Sequence, residues 1–241
     1  MATDIHPVFL RPDNPEISIW RYMDFTKFVS MLENNGLYLS RADFLGDPFE
    51  GSNSRGNEKL RPLVYKGSKI PPFSGDHLRG ARAWTFINCW HMNAYESAAM
   101  WNLYAKTNEA VAIRSTFKNL DDALDKKCFL GIVQYIDYEN DWLPEGNMLY
   151  PYVHKCLSFA HEQEIRVVVN WLPSKNGMVD WTEPPPVEGI WKAVSLQRLI
   201  DSVYVAPSSP EWFKHLVEQI VVRYALGKPV FQSALDREPF F

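Results

Sequence analysis

Three charged side chains alternate along one apolar segment, in the sequence Glu162-Gln-Glu164-Ile-Arg166 followed by three valines. The alternation predicts a β-strand, and apolar residues on both faces predict that it is buried. A carboxylate on a buried strand is unstable unless it is paired, and such groups are enriched at functional sites. Glu164, with Glu162 on the same face, is therefore a candidate site residue. The alternative is a structural ion pair, Glu164 with Arg166 or Glu162 with Lys155.

A second polar cluster follows a predicted short strand at 37–40. The segment 41–51 contains Arg41, Asp47 and Glu50, and Asp47-Pro48 predicts a turn, because proline fixes φ and the aspartate side chain accepts from the backbone beyond it. Loops at strand ends often carry binding residues. We expect either a ligand-facing loop or a self-contained turn with an arginine–glutamate pair.

Aromatic residues are unusually frequent, since 9 Trp, 11 Tyr and 14 Phe make up 14% of the chain. Trp101 and Tyr104 are three residues apart in a predicted helix and share one face. They either pack in the core or border a pocket in which a ring stacks on a base or a nicotinamide.

Several other motifs are incomplete. The segments 51–56 and 75–80 have the glycine spacing of a phosphate-binding loop, but Asn57 and Ala81 stand where lysine is required. His154, Cys156 and His161 are dispersed and have no carboxylate partner in their pattern, so we expect no metal site. Cys89 and His91 lie two residues apart on a predicted strand, too far for direct contact between a nucleophile and a base.

One segment, 51–82, carries scattered glycine and proline and no sustained period. We expect a long loop there, with one short helix near 57–65. Seven Lys and Arg face two Asp and Glu in this segment, so it has a local charge of +5 in a chain of net charge −4. A basic loop of this length is a candidate surface for nucleic acid.

The remaining periodicity predicts an α+β fold around a mixed or mostly antiparallel sheet with flanking helices. No glycine-rich turn follows the first strand, which disfavours a dinucleotide-binding Rossmann half. The predicted strands are 17–22, 37–40, 83–90, 110–114, 129–136, 164–169, 190–194 and 202–206, and the predicted helices are 25–34, 94–105, 117–125, 150–161 and 210–226.

Length and composition predict one globular domain over residues 1–241. No window approaches the length of an apolar membrane span, and the first residues lack the pattern of a signal peptide. Three cysteines without C-x-x-C spacing argue against a disulfide framework. We therefore expect a cytoplasmic protein with no membrane partner.

The order of these motifs over about 17–235 resembles an uncharacterised bacterial domain family, some members of which are linked to phage-abortive infection. That family implies no established activity. The matching pieces are Trp20-Arg-Tyr22, Leu37-Tyr-Leu-Ser40, Asp47-Pro-Phe-Glu50, Met100-Trp101-x-x-Tyr104, Lys155 through Arg166, and Ser202 to Ser233.

A remoter resemblance is to the ADP-ribosyltransferase fold, whose first strand bears Arg or His, whose next strand bears Ser or Tyr, and whose later strand bears a catalytic Glu, often as E-x-E. Arg21 or Tyr22, Ser40 and Glu164 match these positions, with Glu162 two before the last. The usual Ser-Thr-Ser strand motif is absent. The resemblance implies that NAD is a substrate, that an arginine clamps its pyrophosphate, and that a fixed carboxylate stabilises the oxocarbenium ion.

Three functions follow as expectations. The first is an NAD-dependent ADP-ribosyltransferase-like enzyme acting as a defence or toxin effector, with a small-molecule nucleotide as ligand. The second is a non-catalytic module that binds nucleic acid or protein through 51–82. The third is a metal-dependent nuclease or hydrolase that uses Asp47, Glu50 and Glu164.

Overall fold

The computed structural model describes residues 6–66, 75–171, 173–175, 178–180 and 183–236 of the chain. The helices are α1 Phe25–Glu33, α2 Arg55–Val64, α3 Gly75–Ala83, α4 Ala98–Tyr104, α5 Phe117–Ala123, α6 Leu196–Leu199 and α7 Glu211–Arg223. Short 3-10 helices cover Ala42–Phe44, Tyr150–Tyr152, Leu157–Glu162 and Ala234–Asp236. The strands are β1 Ser18–Asp24, β2 Gly36–Arg41, β3 Thr85–Met92, β4 Ala110–Thr116, β5 Phe129–Ile132, β6 Gln134–Ile136, β7 His154–Cys156, β8 Glu164–Asn170, β9 Ser174–Lys175, β10 Met178–Val179, β11 Gly189–Ala193, β12 Ser202–Val205 and β13 Val230–Gln232.

Nine strands form one mixed, mostly antiparallel sheet, which confirms the predicted α+β fold. Its order is β11-β2-β3-β1-β4-β12-β13, and β8 pairs with β3 and with β5. Only β13, which runs parallel to β12, departs from antiparallel pairing in this sheet. Two small ribbons, β9–β10 and β6–β7, lie outside it.

The sheet forks at β3, where two strands share one side. The first half of β3 pairs with β2, from Phe86 to Ile87, and the second half pairs with β1, from His91 to Met92. Residues 88–90 have no strand opposite them on that side, whereas β8 pairs along the whole of the other side. Because β1 and β2 diverge here, the fork exposes backbone polar groups that need other partners.

Side chains donate to two of the backbone carbonyls at the fork. The Asn88 side-chain amide donates to the Tyr38 carbonyl at 2.8 Å. The Arg21 guanidinium donates to the Cys89 carbonyl at 3.1 Å. Specific side-chain hydrogen bonds thus stabilise the fork.

The two faces of the sheet are covered differently. Helices α1, α5 and α7 bury one face in the largest apolar cluster, which includes Phe28, Phe117 and Phe213. The other face has two smaller clusters, one around α4 and Trp101 and one around Tyr152. Polar side chains also lie on this second face. On β8, for example, Glu164 and Arg166 alternate with Ile165 and Val167, which belong to the large apolar cluster on the first face.

The segment 51–82 is more helical than its pattern predicts. The short helix expected near 57–65 is α2, but the prediction of a loop is wrong over α3. Ser54 caps α2 by accepting from the Asn57 amide, and Pro62 lies inside the helix. The prediction missed α3 because its buried residues are Leu78 and two alanines, Ala81 and Ala83, which give a weak apolar period. Residues 67–74 lie outside the described residues.

The predicted helix at 150–161 is wrong. The chain forms a 3-10 turn with Pro151 in it, then β7, then a second 3-10 helix. The predicted strand 129–136 also divides at Val133, where the chain leaves β8 and β6 pairs with β7. Pairing with a distant strand overrides the local helical period, and it fixes Lys155 on β7.

Within the described ranges, no helix is long and apolar enough to cross a bilayer.

Candidate functional site

A cavity of about 530 Å³ opens in the fork between β1 and β2, a volume within the range of small-molecule sites. The residues that line it lie mainly on β1, β2, α1, β3, α4, β8 and β11. The polar and aromatic residues that line it are Trp20, Arg21, Tyr22, Lys27, Ser30, Tyr38, Ser40, Asn88, Cys89, Trp90, His91, Tyr104, Glu162, Glu164 and Trp191. Arg21, Tyr22, Ser40, Tyr104, Glu162 and Glu164 were all proposed as site residues from sequence, and the fold brings them to this one cavity.

Glu164 is held by the buried Arg166. The Arg166 Nε donates to Glu164 Oε1 at 2.8 Å, and its Nη2 donates to Oε2 at 3.2 Å. The other side of the guanidinium binds Glu50 with contacts of 2.6 and 2.8 Å, and Nη1 also donates to the Tyr152 carbonyl. Arg166 therefore bridges two carboxylates, of which only Glu164 lines the cavity.

Lys155 on β7 binds Glu162 and shares Glu164 Oε2 with Arg166. Its Nζ lies 2.5 Å from Glu162 Oε2 and 3.4 Å from Glu164 Oε2. The structural alternatives considered from sequence, Glu162 with Lys155 and Glu164 with Arg166, are both present. The carboxylates are thus paired and also line the cavity, so the two interpretations are compatible. Among the described residues, Glu162 Oε1 has no hydrogen-bond partner.

The cluster keeps Glu164 ionised at neutral pH. Burial alone would raise the pKa of this carboxyl, but the charges of Arg166 and Lys155 outweigh it and lower the pKa to about 2. The pKa of Glu50 is raised instead, because burial outweighs its pairing with Arg166. Burial also raises the pKa of the Cys89 thiol well above its usual value, with a further contribution from Glu164. Cys89 therefore stays protonated and is a poor nucleophile.

Glu164 retains some capacity to accept a ligand hydrogen bond. It accepts three bonds from Arg166 and Lys155, whereas a carboxylate has about four acceptor positions. The Cys89 thiol is the remaining neighbour that interacts with it. A thiol is a weak donor, so a ligand hydroxyl can replace it.

Arg21 enters the cavity from the opposite face of the sheet. Its neighbours Ile19 and Met23 lie in the α1-side core, whereas Trp20 and Tyr22 lie in the α4-side cluster. Among the described residues its single hydrogen bond goes to the Cys89 carbonyl, and no carboxylate lies within ion-pair distance. Burial lowers its pKa below the ordinary value, yet arginine remains charged. Most of its donors are therefore available to an anion.

Tyr22 and Tyr104 add phenols to the same cavity. Burial raises the pKa of both, so both remain protonated donors at neutral pH. The Tyr22 hydroxyl accepts from the Ser97 amide at 2.8 Å. Trp101 does not line the cavity, because it is buried edge-on against Tyr22, with its indole N–H bonded to Glu96. The pocket interpretation thus fits Tyr104, and the core interpretation fits Trp101.

Arg41 and Asp47 lie outside the cavity. Arg41 binds Asp43 through Nη2 at 2.7 Å and the Pro185 and Val187 carbonyls, so its guanidinium holds the segment before β11. Asp47 accepts from the Phe49 amide at 2.9 Å, which confirms the predicted turn. The predicted arginine–glutamate pair inside 41–51 is wrong, because Glu50 binds Arg166.

Sequence reasoning missed several lining residues. His91 lies opposite Glu164 across the β3–β8 pair, and its Nδ1 contacts the Glu162 carbonyl, so Nδ1 carries the proton in that contact. Burial lowers the pKa of His91, which keeps the ring neutral. Tyr38 and Trp191 form a second group, and their pairing depends on a contact between strands about 150 residues apart. No local period could have revealed these contacts.

Three of the six described cations of the basic segment 51–82 are paired with carboxylates. Arg55 binds Glu139 at 3.5 Å, Arg61 binds Glu145 at 2.6 Å and Arg79 binds Asp76 at 2.5 Å. The partners of Arg55 and Arg61 come from outside the segment, which the local charge count did not include. Lys69 lies outside the described residues.

The arrangement suits a ligand that has both an anionic group and hydroxyls. Arg21 offers donors to phosphate, and Glu164 offers an ionised acceptor. Glu50 and Glu164 do not form an open cation site, because the Arg166 guanidinium lies between them. No group of metal-ligating side chains with suitable geometry occurs in the described ranges.

Comparison of the chain with family models, with curated proteins and with solved structures gave no significant match.

Proposed function

We propose that the chain is an NAD-dependent ADP-ribosyltransferase-like enzyme whose substrate binds in the fork. One observation carries the proposal. Arg21, Ser40 and the pair Glu162 and Glu164, from three different strands and one 3-10 turn, line the same cavity of about 530 Å³. An arginine for the pyrophosphate and a fixed carboxylate for the ribose are the groups that cleavage of a nicotinamide glycoside uses. Their order along the strands is the one that the resemblance to the ADP-ribosyltransferase fold implies.

The reaction breaks the bond between ribose C1′ and the nicotinamide nitrogen. The bonding electrons leave with nicotinamide, and positive charge develops on the ribose as an oxocarbenium ion. An acceptor nucleophile, or water in hydrolysis, then bonds to C1′ and loses its proton. A preorganised anion beside the ribose lowers the barrier to this step.

Glu164 is suited to that role because it is ionised and immobile. The cations Arg166 and Lys155 fix its carboxylate and keep its pKa at about 2. It accepts a hydrogen bond from a ribose hydroxyl and faces the developing charge. Arg21 binds the pyrophosphate through donors that have no partner among the described residues.

The alternatives gain less support. A nucleic-acid surface at 51–82 has fewer free cations than the local charge suggests, because Arg55, Arg61 and Arg79 are paired with carboxylates. A metal-dependent hydrolase needs Glu50 and Glu164 open to a cation, whereas Arg166 binds both.

The test is nicotinamide release from NAD by the wild type, by Glu164→Gln and by Glu50→Gln. Both variants weaken the bonding of Arg166, but only Glu164 lines the cavity. We expect Glu164→Gln to lower kcat by about 100-fold or more, as removal of one charge-stabilising group does. Glu50→Gln should retain activity in proportion to its folded fraction. Equal losses in both variants would assign Glu164 a structural role, and a wild type that neither binds nor cleaves NAD would refute the proposal.

A further inference from the structure

Two aromatic side chains form a platform at the open end of the cavity. Tyr38 on β2 and Trp191 on β11 are directly opposite in register, and their ring centroids are 5.3 Å apart. They are 37% and 39% exposed, and both line the cavity. We call Tyr38 and Trp191 together the aromatic platform.

A glycine supports the platform. Gly189 lies opposite Ser40 on β11, two residues before Trp191. A Cβ at Gly189 would overlap the end of the Tyr38 ring and the Leu39 carbonyl. The Tyr38 ring therefore lies over Gly189 on β11, and a side chain at position 189 would displace it. The orientation of this exposed ring is thus set by the fold, which is typical of a binding surface.

The distance from Glu164 decides which ring the platform can bind. From β8 to β11 the path crosses β3 and β2, and three strand spacings amount to about 14 Å. Nicotinamide is bonded directly to the ribose that Glu164 would contact, so in an extended dinucleotide it is the ring nearer to β8. The adenine of NAD is separated from that ribose by two phosphates and a second ribose, and it can span the distance.

The charged groups between the two ends agree with this order. Arg21 reaches into the fork at Cys89, between β8 and β2. Lys27 and Ser30, one turn apart on α1, line the same cavity. Lys27 has one long contact to Asp24 at 3.8 Å. Arg21 thus offers donors between the carboxylates on one side and the aromatic platform on the other, and Lys27 adds a second cation to the same cavity.

We propose that the aromatic platform is the binding site for the adenine base of the dinucleotide, with Tyr38 and Trp191 stacking on it. This inference rests on the proposed function for the position of the ribose. A base stacked on an aromatic side chain contributes enough that loss of the ring weakens binding by about tenfold to a hundredfold.

Isothermal titration calorimetry with two halves of the dinucleotide tests the assignment. Adenosine monophosphate and nicotinamide mononucleotide are each titrated into the wild type, Trp191→Ala, Trp191→Phe and the control Trp212→Ala. Trp212 is another exposed tryptophan, on α7, and it does not line the cavity. Circular dichroism and the thermal midpoint show whether each variant is folded.

We expect Trp191→Ala to raise the Kd for adenosine monophosphate by at least tenfold and to leave the Kd for nicotinamide mononucleotide within threefold. Trp191→Phe should retain most of the affinity, and Trp212→Ala all of it. Equal losses for both ligands, a loss for the nicotinamide half alone, no loss at all, or no binding of adenosine monophosphate to the wild type would each overturn the assignment.

The two proposals fail in different ways. If the platform variant loses adenosine monophosphate while the wild type releases no nicotinamide from NAD, the platform stands and the transferase proposal fails. If the wild type consumes NAD and Trp191→Ala leaves its KM unchanged, the enzyme proposal stands and the platform assignment fails.

Discussion

Two arginine–carboxylate clusters with buried carboxylates stabilise different parts of this fold, and one of them borders the cavity in the fork. Arg166 bridges Glu50 and Glu164 beneath the fork, whereas Arg61 binds Glu145 beside the buried Asn57. The side chain of Arg166 is 1% exposed, and that of Arg61 is 28% exposed. Arg61 and Glu145 neutralise each other, but the first cluster holds three carboxylates, with Glu162, against two cations.

The difference teaches that pairing and burial do not by themselves indicate function. Both clusters satisfy buried charges, as any stable fold must. The distinguishing property is that Glu162 and Glu164 also line a cavity that contains a guanidinium with available donors. Substitutions in each cluster can therefore separate its structural contribution from its contribution to ligand binding.

The largest expected effect is on stability, at Arg166. Arg166→Met leaves Glu50 without its bidentate partner and Glu164 with Lys155 alone, so the free energy of unfolding should fall by about 3–5 kcal/mol. Urea denaturation monitored by circular dichroism measures this. A loss below about 1 kcal/mol would show that the cluster contributes little to the folded state.

Acid should remove the contribution of Glu164. Its folded pKa of about 2 lies below the usual 4.5, so the folded state binds fewer protons, and its stabilisation is lost as pH falls from 4.5 to 2. The stability gap between wild type and Glu164→Gln should shrink by about 3 kcal/mol over that range. Glu50, whose pKa is raised, has the opposite sign, so the gap to Glu50→Gln should hold or widen. Urea unfolding between pH 2 and pH 7 checks both, and a constant Glu164→Gln gap would contradict the pairing.

Arg61→Met should have a smaller effect than Arg166→Met. Glu145 keeps its bond from Asn57, and this site is nearer to water, so we expect a loss of about 1–3 kcal/mol in the free energy of unfolding. Nicotinamide release per folded molecule should not change. If Arg61→Met abolished that activity in folded protein, the distinction between the two clusters would fail.

Arg21→Met should weaken ligand binding more than stability, whereas Arg61→Met should lower stability and leave activity unchanged. Only the bond to the Cys89 carbonyl is lost, so stability should fall by about 1 kcal/mol. Affinity for NAD should fall by about tenfold or more, because a charge-assisted phosphate contact is removed. Unfolding and titration calorimetry on the same sample measure both effects. Unchanged NAD affinity would remove Arg21 from the site.

The smallest effect is expected at Arg55, the most exposed of the three ion-paired arginines Arg166, Arg61 and Arg55. Arg55 pairs with Glu139 at 3.5 Å, and its side chain is 75% exposed. Arg55→Gln should therefore change the free energy of unfolding by less than about 0.5 kcal/mol. It should leave nicotinamide release unchanged. A larger loss of stability would show that side-chain exposure does not rank the contributions of Arg166, Arg61 and Arg55.

Local sequence signals identified much of the fold and part of the site. The alternation in 162–169 placed Glu164 and Arg166 on one face of a buried strand, and the structure confirms that strand as β8. The α+β class followed from the order of the periods. The helix predicted at 150–161 failed because β7 pairs with the distant β6, and that pairing places Lys155 in the cluster.

Contacts between distant segments could not be predicted. Glu50 binds Arg166 across 116 residues, so the alternative of an arginine–glutamate pair within 41–51 is wrong. The fork at β3 depends on which strands pair with which half of it, and no local period encodes that choice. The aromatic platform likewise depends on the β2–β11 register.

A crystal structure of the protein with NAD tests the central claim most directly. The account predicts density in the fork, with a ribose hydroxyl within hydrogen-bond distance of Glu164, a phosphate at Arg21 and the adenine against Trp191. NAD bound at another surface, or an empty fork in crystals soaked at saturating concentration, would contradict it.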